Sequence, residues 1–124
     1  MRPHAVPDGG RRGRPGLSSP TEFSRVYREG RRFPGTMVVL YVRSTEGRLR
    51  LGVTTGRRFG RAVARNRAKR RLREAFRRLE GRLLDRGDVV LVARPQALTA
   101  GFSEIVAEME TLCAAGRLFV GGKE

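Results

Sequence analysis

A chain of 124 residues with 27 Lys and Arg against 12 Asp and Glu carries a formal net charge of +15. That length holds one domain, and such charge repels itself in a compact chain unless a polyanion balances it. No stretch approaches about 18 apolar residues, which excludes a membrane-spanning helix, and the single Cys113 excludes an internal disulfide and fits a reducing cytoplasm.

Residues 1–17 combine Pro3, Pro7 and Pro15 with scattered glycines and arginines and little to bury, which predicts a disordered basic extension. They contain no apolar segment of the kind a secretory signal needs. A single domain then spans residues 18–120, and residues 121–124 form a frayed tail. Ser19-Pro20-Thr21-Glu22 announces the first helix: Ser19 caps, Pro20 tolerates the first turn, and Glu22 stands three residues on, as a capping box requires. Phe23, Val26 and Tyr27 share one face of it, and Gly30 ends it. A short extended piece near Phe33 precedes Pro34-Gly35. Residues 37–43 and 49–55 are β-branched and aromatic, which predicts two strands joined as a hairpin.

The run Arg57–Arg78, RRFGRAVARNRAKRRLREAFRR, holds eleven basic residues in twenty-two and one acid, Glu74. Its apolar residues recur at helical spacing: Ala68, Leu72, Ala75, Phe76, Leu79 and Leu83 make one stripe, so a helix is expected from about Arg61 to Leu83. Arg65, Lys69, Arg73 and Arg77 repeat every four residues and form a ridge beside the stripe, with Asn66 and Arg70 next to it. Arg67, Arg71 and Arg78 fall on the opposite flank. Arg71, Arg77 and Arg78 are read as surplus solvated cations, and Glu74 as a helical ion-pair partner of Arg70, Arg71 or Arg78. Asp85 and Asp88 flank a turn and are expected to serve it. Residues 88–94 give a buried strand, Pro95 closes it, and residues 102–116 form a final amphipathic helix with Phe102 and Cys113 on its apolar side. The order α-β-β-α-β-α, with the extra short strand near Phe33, describes an α+β domain with helices packed on a small mixed sheet.

Nothing in the chain suits protein-borne catalysis. The single His4 lies in the extension, Cys113 has no base beside it, and no acids stand at metal-ligand spacing.

The segment LGVTTGRRFGRAVARNRAKRRLREAFR, residues 51–77, resembles the signature of the bacterial ribonuclease P protein component. Gly60, Ala62, Val63, Arg65, Asn66, Arg67, Lys69, Arg70, Arg73 and Glu74 carry the match. TEFSRVYREG, MVVLYV and GDVVLVAR follow in the family's order. The resemblance implies the small subunit of a ribonucleoprotein endonuclease that removes the 5′ leader from precursor tRNA. It also implies a left-handed βαβ crossover, against the usual rule. The catalytic centre and its magnesium are then expected in the RNA subunit or at the RNA–protein interface. The implied partners are ribonuclease P RNA and precursor tRNA, with no membrane and no obligate protein partner, in the cytoplasm. Carried over by position, Arg57, Arg58, Arg61, Arg65, Asn66, Arg67, Lys69, Arg70 and Arg73 would bind the RNA subunit. Phe23, Tyr27 and Tyr41 would line the leader cleft, where stacking on aromatic rings tolerates many sequences. Thr55-Gly56 stands where relatives commonly have a Ser before the basic pair, which removes a hydroxyl from that spot. The alternative is a structural RNA-binding protein with no processing role.

Overall fold

Asp88–Ala93 is apolar without alternation, the pattern of a strand covered on both faces, and it lies inside the sheet. The structure, a computed structural model, describes residues 16–56 and 59–121. Its elements are α1 (Pro20–Glu29), β1 (Arg31–Pro34), β2 (Val38–Arg43), β3 (Arg50–Thr55), α2 (Ala62–Glu80), β4 (Asp88–Ala93), a short 3-10 turn (Pro95–Leu98) and α3 (Phe102–Ala115). The four strands form one mixed sheet in the order β1-β2-β4-β3. β1 and β2 are antiparallel, β2 and β4 are antiparallel, and β3 and β4 are parallel, joined through α2.

The expected hairpin between β2 and β3 does not form. β4 stands between them, because it is the one strand apolar enough for both faces to be covered. The hairpin partner of β2 is β1, the short piece around Phe33. α2 also ends earlier than its apolar stripe. Glu80 is its last residue; Leu83 leaves the helix to bridge Phe119, and Leu84 N donates to Leu118 O at 2.8 Å. The folded body begins earlier than residue 18. Leu17 is buried, its N–H donates to Leu51 O, and Gly16 bridges Leu51 on the outer edge of β3. The rest of the expected extension, and residues 122–124, lie outside the described residues.

Alternation along the strands gives the sheet two faces. Val38, Leu40, Val42, Val89, Leu91 and Ala93 pack with Ala68, Leu72, Phe76, Ile105 and Met109 of α2 and α3 in the main core. α1 covers part of the other face, where Leu17, Val26 and Val90 are buried with Phe23, Tyr41 and Val92 half-buried beside them. The capping box is present as expected: Glu22 N donates to Ser19 Oγ at 3.1 Å, and Glu22 Oε1 accepts from Ser19 N. α1 comes so close to β3 that a Cβ at Gly52 would stand 2.7 Å from Phe23 Cζ.

Asp88 departs from its expected part in a turn. It is the one buried charged residue among the described residues, and it sits in register opposite Arg43 on β2 and Arg50 on β3. Arg43 Nη1 donates to Asp88 Oδ2 at 3.0 Å; Arg50 Nε and Nη2 donate to Oδ1 and Oδ2 at 3.0 and 3.2 Å. Both arginines reach on to α1. Arg50 Nη1 donates to Glu22 at 3.1 Å and Arg43 Nε to Glu29 at 2.9 Å. Glu22 and Glu29 lie in the first turn and at the last residue of α1, so the chain of ion pairs fastens the helix at both ends. Burial pulls the Glu22 carboxyl upward, but the N–H groups of Ser18 and Ser19 and the Arg50 guanidinium outweigh it and hold it below the usual range. Asp85 does serve its turn, accepting from Leu49 N at 3.1 Å and Arg48 Nε at 3.2 Å.

Removing one member of a buried ion network strands its partners. Asp88→Asn is therefore expected to lower the unfolding free energy by about 3 kcal/mol, read as a reduced midpoint in urea with an unchanged slope.

Candidate RNA-binding site

The basic helix divides its cations between two flanks. Toward α3, Arg71 Nη2 donates to Ala100 O at 2.6 Å and the Arg78 guanidinium stacks over Phe102 at 5.0 Å. Arg71 thus holds the loop before α3, and Arg78, although exposed like Arg77, stacks on the first residue of α3, so neither is the unengaged surplus expected. Glu74 is exposed and forms no ion pair among the described residues, against expectation. Arg61, Arg65, Asn66, Arg67 and Arg70 are exposed, while Lys69 and Arg73 are half-buried. Arg57 and Arg58 lie outside the described residues.

Crowding marks the ridge. Partial burial, and then the charges of Arg73 and Arg65, lower the pKa of Lys69. An anion placed on the ridge relieves that repulsion. Arg65 turns its guanidinium back to the carbonyl of Gly60, a glycine at φ +80° that the turn into α2 requires. No side chain caps α2 at Arg61 and its first turn holds no acid, so the positive end of the helix dipole is uncompensated on the same side.

The other face of the sheet carries the aromatic residues. Three rows of residues cross the strands on that side, read from the register. The first is Arg43–Asp88–Arg50, the ion row. Arg32–Tyr41–Val90–Gly52 comes next, and then Pro34–Val39–Val92–Thr54. α1 is tied over the first row by its carboxylates, and its aromatic flank covers the second. Phe23 and Tyr27 meet edge to face with centroids 6.3 Å apart, and Tyr27 meets Tyr41 at 4.8 Å. The three residues expected at a cleft thus form one continuous series, wall to floor. Phe23 also fills the space above Gly52, so it serves packing as well. Tyr27 is the open member, 40% exposed, although burial of its hydroxyl, and then the neighbouring Tyr41, push its pKa up to about 12.

Two arginines near this face escape the helix-centred reading. Arg32 Nε donates to the Tyr41 hydroxyl at 3.3 Å. Arg94 follows β4 in extended conformation, which carries the alternation onto the side of Val90 and Val92; its Nε is buried without a hydrogen-bond partner. An orphaned buried donor costs free energy. Arg32 was missed because the sequence predicted a hairpin of β2 with β3; it is the observed pairing of β1 with β2 that sets Arg32 opposite Tyr41.

The family model described as Ribonuclease P matches residues 13–116. The chain belongs to the ribonuclease P protein family. The ribonuclease P protein component of Shouchella clausii is 44% identical over 91 residues, 72% of this chain and 75% of the relative. That of Chloroflexus aurantiacus is 41% identical over 98 residues, 77% of this chain and 73% of the relative. The RNase P protein of Staphylococcus aureus superposes with a TM-score of 0.72 at 26% identity, covering 83% of this chain and 95% of that one. The Thermotoga maritima RNase P protein gives 0.70 at 28%, covering 80% and 94%. Membership makes this chain a protein component of ribonuclease P, the endoribonuclease of tRNA 5′ processing, with ribonuclease P RNA as its partner. It sets aside the alternative of a structural RNA-binding module without a processing role. Among the described residues no helix is long and apolar enough to cross a membrane.

The chain has two tyrosines, so Tyr41→Phe leaves Tyr27 alone. Absorbance titration of that variant is expected to show a midpoint above the ordinary 10.0, held up by burial once the charge of Tyr41 is removed; an ordinary midpoint would contradict the burial of the Tyr27 hydroxyl.

Proposed function

We propose that the face of the sheet beside α1 holds the single-stranded 5′ leader of precursor tRNA, while α2 binds ribonuclease P RNA. The observation that carries this reading is the series Phe23–Tyr27–Tyr41 on the face away from α2. Aromatic edges and faces beside a positive surface grip single-stranded RNA with little regard to sequence. A processing enzyme that accepts many leaders needs that tolerance. Arg65, Asn66, Arg67, Lys69, Arg70 and Arg73, supported by Arg61 and by Arg57 and Arg58, are the proposed contacts to the RNA subunit. Arg71 and Arg78 are left out, being committed to α3.

Magnesium belongs to the RNA on this reading. Among the described residues the donor set does not fit a magnesium site: the buried Asp88 carboxylate is already occupied by two guanidinium groups, and no group of three acids, His or Cys gathers. The protein contributes by neutralising phosphates, which lowers the magnesium the RNA requires, and by adding affinity for precursor over mature tRNA. Its place of work is the cytoplasm, where precursor tRNA is made.

Reconstitution with a bacterial ribonuclease P RNA is expected to stimulate precursor-tRNA cleavage at low magnesium; rates equal to those of the RNA alone would sink the reading. The two surfaces are expected to separate in mutants. Tyr27→Ala and Tyr41→Ala should each weaken precursor binding by about tenfold, as loss of a stacked base contact does, and spare assembly with the RNA subunit. Arg65→Ala should weaken assembly instead. Equal damage to assembly from all three would rule out the partition.

A further inference from the structure

We propose that Arg32 is a phosphate-gripping residue at the β1 end of the leader groove, a proposal that rests on the leader reading above. The row that contains Tyr41 ends at Arg32, on an edge strand with no neighbour beyond it. Arg32 is exposed, and its Nε donates to the Tyr41 hydroxyl at 3.3 Å. Tyr41 in turn lies 4.8 Å from the open ring of Tyr27. A cation therefore stands directly beside the aromatic pair on which bases would stack.

The neighbouring arginines are otherwise engaged. Arg25, Arg28 and Arg43 share Glu29. Arg31 donates to Gly116 O and lies over Phe33, on the far side of the sheet. Arg32 has no carboxylate partner among the described residues, and its Nη groups meet no acceptor there. Its fork is thus open to a phosphodiester, which a guanidinium binds through paired hydrogen bonds. The Tyr41 hydroxyl, accepting from Nε, keeps its own proton to donate to the same phosphate.

The fold also orients the groove. β3, at one end, leads directly into α2, and β1 lies at the opposite edge. With the RNA subunit on α2, the leader enters near β3 and leaves across β1. Arg32 then meets nucleotides farther from the cleavage point than those beside β3. Its contribution depends on leader length, and it adds one phosphate contact to the salt dependence of binding.

The test uses holoenzymes reconstituted with a ribonuclease P RNA and containing the wild-type chain, Arg32→Ala, Arg32→Lys, Tyr41→Phe or Tyr41→Ala. Binding is measured for precursor tRNA with a long leader, with a one-nucleotide leader, and for mature tRNA. Arg32→Ala is expected to weaken long-leader binding by about fivefold and to lower the slope of log affinity against log salt by roughly one. The other two RNAs should bind as they do to wild type. Arg32→Lys should recover the slope and part of the affinity. Tyr41→Phe should leave the slope unchanged; a reduced slope there would make Arg32 a residue that acts through the hydroxyl, overturning direct contact. Equal losses for all three RNAs, or a loss in assembly, would also overturn the proposal. If Tyr41→Ala weakens long-leader binding and Arg32→Ala does not, the Arg32 proposal fails alone. If neither does, the leader reading fails with it.

Discussion

One buried carboxylate organises this protein. Asp88 opens the central strand and takes a guanidinium from each side, Arg43 from β2 and Arg50 from β3. Each of those arginines has a second hand, and each uses it on α1. The result is a closed line of alternating charge that runs from one end of the helix, under it through three strands, to the other end. A buried acid alone is costly, and with two cations hydrogen-bonded to it the cost is offset. What the line accomplishes is placement. Apolar contact alone would let α1 slide, whereas two ion-paired ends fix where its aromatic flank meets the sheet.

The distribution of arginine follows from the same economy. A chain with 27 cations cannot use them all on one ligand. Arg43 and Arg50 are committed to Asp88. Arg31, Arg78 and Arg82 lie over Phe33, Phe102 and Phe119, where a flat cation favours the face of a ring. Arg71 holds the loop before α3 by a backbone carbonyl. Other cations stay exposed, among them Arg65, Arg67 and Arg70 on α2 and Arg32 at the outer end of the aromatic groove. Charge density identified a polyanion as partner; the structural engagement of particular arginines decides which remain available for it.

Local features were legible in the sequence and distant ones were not. The capping box of α1 depends on Ser19 and Glu22, three residues apart, and it was visible. So was the apolar stripe of α2, which is a matter of helical period. The pairing of β2 with β3 was misread because adjacent strands usually pair. The clue to the truth was in VVLV, a run with no polar face to show to solvent, which only an interior strand can afford. The role of Asp88 joins residues 45 and 38 positions apart, and nothing local announces such a partnership. The three aromatic residues were named from family resemblance, but their edge-to-face order depends on how α1 docks on the sheet, and the place of Arg32 beside Tyr41 on strand register.

The position of β4 has a consequence for how the chain is made. A ribosome delivers β2 and β3 first, and these have no shared partner until β4 arrives. Before β4 can be added, the whole of α2 must be synthesised. Val90, which underlies α1, and Asp88, which ties it down, come with β4. The aromatic groove is therefore the later product of vectorial synthesis, and the basic helix the earlier one. A nascent chain carries its basic helix before the strand that completes the other surface has been made.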